Sequence, residues 1–113
     1  KFVLNNGVKK TKASKKLQNY DLAVIPSIWM ETGPLSILEA FAAGIPVAGT
    51  NLGGIKELLI NQKGCFILPP EESVWKETFI KILKNKRLIE NFNSPIVRTF
   101  DEVVNDIRKI ILN

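Results

Sequence analysis

Two carboxylates, Glu31 and Glu39, bracket the stretch ETGPLSILE, with seven residues between them. Paired acids serve general acid–base chemistry and the recognition of hydroxyl pairs, since a carboxylate accepts two hydrogen bonds at once. On one straight helix, eight residues at 100° each would set these two about 80° apart in direction and ~12 Å apart along the axis, so they would form no dyad. Gly33-Pro34 predicts a different arrangement. Proline suits the first helical position, which leaves Glu31 in the loop ahead and Glu39 on the helix. The helix N-terminus then lies between the two acids.

Such an N-terminus presents unpaired N–H groups and a partial positive charge, the requirements of a phosphate site. Leu35 and Ser36 have N–H groups to donate and Ser36 adds a hydroxyl, whereas Pro34 has no N–H. Glu39 stands ~7 Å further along the axis, too deep to touch phosphate but placed to accept from a ribose diol. Glu31, on the other side, would face the group carried by the far phosphate, where sugar hydroxyls are natural donors. The competing reading makes both acids ordinary surface groups, Glu31 favoured by the helix dipole. Against it, the neighbours of Glu39 are Leu38, Ala40, Phe41 and Ala42, and a carboxylate among apolar groups needs a partner.

The surrounding pattern predicts how these groups are held. FVL at residues 2–4 reads as a strand ended by Asn5-Asn6-Gly7 turn chemistry. Residues 11–20 place Ala13, Leu17 and Tyr20 on one helical face. DLAVIPS and IPVAGT read as buried parallel strands covered on both faces. Between them, residues 34–43 form a helix with Leu35, Leu38, Phe41 and Ala42 at helical spacing and Gly44 as its stop. A glycine-rich bend at residues 51–54 leads into a short helix over 55–60, and GCFIL is a further strand. Helices follow over 74–84, with Trp75, Phe79, Ile82 and Leu83 inward, over 88–92, and, beyond Pro95, over 101–112. The last has Val103, Val104, Ile107, Ile110 and Ile111 on its apolar side. This alternation is α/β: a parallel sheet flanked by helices, in which ligands bind beyond the carboxyl ends of the strands. SIWMETGP and TNLGG occupy that position.

Composition narrows the function. The chain has 113 residues, 45% of them hydrophobic, enough for one domain with a core. Its net charge of +5 comes from lysines clustered at Lys9, Lys10, Lys12, Lys15 and Lys16 and again at Lys76, Lys81, Lys84 and Lys86. Without interleaved aromatic residues these are solvated faces and no nucleic-acid surface. Weak attraction to acidic lipid headgroups, roughly 1 kcal/mol per basic group, is the alternative. One cysteine, Cys65, and no histidine exclude an internal disulfide and a soft-ligand metal site, and Cys65 reads as an inert thiol in a reducing, cytoplasmic compartment. No run reaches the ~20 apolar residues of a membrane span. The start at Lys1 reads as cut from something longer.

The run PSIWMETGPLSILEAFAAGIPVAGTNLGGIKELL resembles the donor-binding half of glycosyltransferase family 4. The matching residues are Pro26-Ser27, Trp29, Glu31, Glu39, Ala40, Gly44, Pro46-Val47, Gly53-Gly54 and Glu57, with Lys63-Gly64 trailing, and the resemblance spans residues 2–83. It implies a retaining enzyme of GT-B architecture that uses a nucleotide-diphospho-sugar donor and no bound metal or other cofactor. By resemblance Glu39 binds the ribose hydroxyls and Glu31 is the catalytic carboxylate facing the transferred sugar. Thr32, Gly33, Leu35 and Ser36 meet the sugar and distal phosphate, Val8 contacts the base, and Gly53 and Gly54 form a close-approach bend under the site. The implied whole is a Rossmann-like domain of which this chain is the later part, with its first strands and an N-terminal domain for a glycan or lipid-linked acceptor absent. Polysaccharide biosynthesis at the cytoplasmic face of a membrane is the setting it implies.

Two departures stand out. Gly33-Pro34 replaces a common Phe-Gly, removing one N–H, and the family's diphosphate-neutralising Arg and Lys lie upstream of this sequence. The last helix is then expected to pack toward the absent domain, or to be covered by dimerisation. Two other readings remain open here: a non-catalytic nucleotide-sugar-binding module or half of a split enzyme, and a flavodoxin-like or regulatory α/β domain with no sugar chemistry.

Overall fold

The computed structural model of the chain describes residues 13–30 and 32–112. The expected first strand at residues 2–4 lies outside them, as do Val8, Lys9, Lys10, Lys12 and Glu31. Among the described residues the order is α1 (Ala13–Leu17), β1 (Ala23–Ile25), α2 (Leu35–Ala42), β2 (Val47–Thr50), α3 (Gly53–Leu59), β3 (Phe66–Leu68), α4 (Glu72–Lys84), α5 (Arg87–Glu90) and α6 (Phe100–Leu112). The three strands pair in parallel in the order β1-β2-β3. This is the α/β, Rossmann-like layering expected from the alternation of strand and helix.

Register sorts the side chains into two layers. Ala23 pairs with Val47 and Ile25 with Gly49, and on that face α2 and α3 bury Ile37, Ala40, Phe41, Ile55 and Leu59. The opposite face joins Ala48 and Leu68 to Trp75 of α4, with Phe66 and Phe79 packed beside them. Every residue of β2 is buried. Gly49 permits the close approach of α3: a Cβ there would stand 2.5 Å from Ile55 Cγ2 and 2.7 Å from Leu59 Cδ1. Cys65 is half-buried and its Sγ accepts the Val47 N–H at 3.3 Å. Burial pushes the thiol pKa up, with that bond working the other way, and an undissociated thiol is a poor nucleophile, as expected of it.

Several local expectations change. β1 is not covered on both faces, for Val24 is 42% exposed. A cavity of about 420 Å³ stands between it and Phe79, Ile82 and Leu83 of α4. Leu83, expected inward, is therefore 75% exposed on the cavity's rim. Pro34 does not open α2 as its first helical residue. It is the N-cap, with φ −68° and ψ 107°, and its carbonyl accepts the Ile37 N–H at 3.1 Å. The buried stripe of α2 is Ile37, Ala40 and Phe41, the i, i+3, i+4 row that meets the sheet, while Leu35 is 69% exposed and Ala42 is exposed.

Gly44 does stop α2. At φ +77° it donates to the Phe41 carbonyl at 2.9 Å, and Ile45 donates to Ala40 at 2.9 Å, the paired bonds of a Schellman ending. α1 ends at Leu17 rather than Tyr20 because the chain turns at Asn19 and Tyr20, whose N–H groups return to the carbonyls of Lys16 and Leu17. α3 starts two residues early because Gly53 takes φ +43° and enters the helix directly from the bend. No helix among the described residues is long and apolar enough to cross a membrane.

Candidate functional site

The loop ahead of α2 is tied to the sheet by one buried hydroxyl. Thr50, 1% exposed at the carboxyl end of β2, donates its Oγ1–H toward the carbonyls of Ile25 at 3.2 Å and Ser27 at 2.5 Å. A buried hydroxyl needs such partners, and here they hold the carboxyl end of β1 where it leaves the sheet. The Trp29 N–H adds a 3.4 Å contact to Ser27 Oγ. Residues 28–30 and 32–33 are exposed, so the peptide running toward α2 is anchored at its root and open beyond it. Sequence reading missed Thr50; a lone polar residue closing the apolar run IPVAGT was the available signal.

α2 then presents its first turn without a side-chain cap. The N–H groups of Leu35 and Ser36 precede the first intrahelical bond, which Ile37 makes. One turn further, Glu39 is half-buried and, among the described residues, its carboxylate has neither a hydrogen bond nor an ion pair. Ser36 and Glu39 line one cavity of about 320 Å³, whose other walls are Lys16, Leu17, Tyr20 and the three residues of β1. A hydroxyl, a carboxylate and an ammonium thus share one concavity with an aromatic ring. Such a set can accept from a diol and donate to an anion.

Of the residues expected at the site, Ser36 and Glu39 are brought together. Thr32, Gly33 and Leu35 are exposed at the mouth of the helix, and the space around Gly33 is open. Gly53 and Gly54 belong to α3, where Gly53 is required by its positive φ and Gly54 is buried. They are not walls of the cavity. Glu31 and Val8 lie outside the described residues. Glu57, matched by resemblance, is exposed on α3.

The sequence profile of the family described as glycosyl transferases group 1 matches residues 2–95. The chain belongs to this family. Among solved structures, Anabaena HepE shares its fold, both in complex with UDP and glucose and in complex with UDP. Each superposition has a TM-score of 0.59 at 22% identity, over 66% of this chain and 21% of HepE. The chain thus spans about a fifth of HepE's length. No curated protein sequence matches it.

Proposed function

We propose that this chain is the later part of the donor-binding domain of a retaining, GT-B glycosyltransferase. The enzyme would move a hexosyl group from a nucleotide-diphospho-sugar to a glycan or lipid-linked acceptor, as polysaccharide-building enzymes do. The observation that carries the reading is the shared cavity of Ser36 and Glu39 at the start of α2. It is supported by membership of the glycosyl transferases group 1 and by the fold shared with HepE, which binds UDP and glucose.

In this reading Glu39 accepts both hydroxyls of a ribose, and the N–H groups of Leu35 and Ser36 face the diphosphate. Glu31 faces the transferred sugar on its reacting side, with Thr32 and Gly33 lining the path between them. Val8 contacts the base, and the Gly53-Gly54 bend lies under the site, outside the walls of this cavity. Catalysis comes from fixed charge that stabilises the leaving diphosphate as the acceptor attacks, with no metal. The cations for that task, the first strands and the acceptor domain belong to upstream sequence. The enzyme works on the cytoplasmic side, held at the membrane surface by its lysine clusters, and binds no nucleic acid.

A thermal-shift panel of uridine, guanosine and adenosine diphosphate sugars on the full-length protein identifies the donor. Calorimetry with that donor then tests Glu39→Gln, which should lose ~1.5–3 kcal/mol of binding because the diol loses a charged acceptor. Unchanged affinity would remove Glu39 from the site. The 113-residue chain alone should transfer no sugar, and turnover by it would refute the need for upstream cations.

A further inference from the structure

We infer that Lys16 is the counter-charge that lets a carboxylate and a nucleoside diphosphate occupy the α2 cavity together; this rests on the donor-site reading above. Lys16 is half-buried on α1 and is the cationic residue among those lining the cavity with Glu39. Neither has an ion-pair partner among the described residues, and the two are not in direct contact. Both line the same open volume of about 320 Å³.

A cavity built this way has an electrostatic problem. The carboxylate that suits a diol repels the phosphates of the same ligand, and at separations of about 7 Å in a partly desolvated site that repulsion is worth tenfold or more in affinity. An ammonium lining the same cavity cancels most of it without competing for the diol, since lysine donates hydrogen bonds and accepts none. The effect falls on the charged part of the ligand. A nucleoside, which has the diol and no phosphate, should hardly sense Lys16.

The test titrates the full-length protein by calorimetry with UDP, GDP and ADP and with the matching nucleosides, for the wild type, Lys16→Gln and Lys16→Arg. Lys16→Gln should weaken the best diphosphate about tenfold and its nucleoside less than about threefold, and Lys16→Arg should stay near wild type. Equal diphosphate affinity of Lys16→Gln and wild type, or an equal loss for diphosphate and nucleoside, would overturn the inference and leave the donor site standing. A full-length wild-type protein that binds none of the three diphosphates would overturn the donor site and the inference with it.

Discussion

α4 and α6 are helices of the same length, 13 residues, and each sets an apolar stripe against a charged face. α4 buries Trp75 and Ile82 against the sheet, whereas α6 buries no residue and leaves Ile107 and Ile110 in solvent. The better segregated stripe is the uncovered one. Amphipathic spacing says that a face suits an apolar neighbour; it does not supply the neighbour. α4 has one because Ala48 is small enough for the Trp75 ring to lie over β2, and because the Trp75 indole N–H reaches the Pro69 carbonyl at 2.8 Å. The ring also meets Phe79 edge-on at 5.9 Å. α6 is held by local devices instead. Thr99 and Glu102 form a capping box, the Thr99 N–H on the Glu102 carboxylate at 2.6 Å and the Glu102 N–H on the Thr99 hydroxyl at 3.3 Å, and Arg98 pairs with Asp106.

The contrast can be broken at either helix. Trp75→Ala should cost ~3–5 kcal/mol in urea denaturation, because it empties the centre of the α4 layer. A loss below ~1 kcal/mol would mean that α4 does not anchor that face. Gly49→Ala, on the opposite layer, should cost ~1–3 kcal/mol, since its new methyl meets Ile55 and Leu59, both buried. A neutral result would show that α3 lifts from the sheet freely.

For α6 the expected effects are local. The Thr99 backbone N–H, then the Thr99 hydroxyl and the Arg98 charge, hold the Glu102 carboxyl below its ordinary range. A depressed folded pKa means that the cap acts in full above the ordinary carboxylate pKa and is lost as pH falls through the lowered value. Amide exchange in the first turn of α6 should therefore speed up in acid before the sheet amides respond, and Glu102→Gln should abolish that pH dependence. Exchange that tracks the sheet at every pH would argue against an independent α6. Smallest of all, Ile107→Ala should change global stability by less than ~0.5 kcal/mol. A larger loss would show that the α6 stripe is covered in solution.

Much of the site region was legible because its signals are local. Gly44 as a helix stop and Gly33-Pro34 as a helix start depend on backbone preferences within a few residues, and both fall within one residue of the observed positions. TFDE at residues 99–102 carries a capping-box pattern that would have moved the start of α6 to Phe100. The inward face of α2 was misread because Leu35, Leu38 and Ala42 are as apolar as the row that meets the sheet. With apolar residues on most sides of a short helix, periodicity does not choose among them. Thr50 was overlooked for a related reason: its two acceptors are carbonyls 23 and 25 residues away, in a different strand and loop.

Sequence by itself determined the α/β alternation, the parallel strands, the helix ends and the two acids flanking a helix start, all of which follow from residue spacing and backbone preference. Only the tertiary structure decided that Glu39 shares a cavity with Ser36 and Lys16, that β1 has one open face, and that α6 carries its stripe uncovered. Those facts depend on which surfaces meet across the chain. Spacing along a helix sets a direction; packing between elements sets what lies in it.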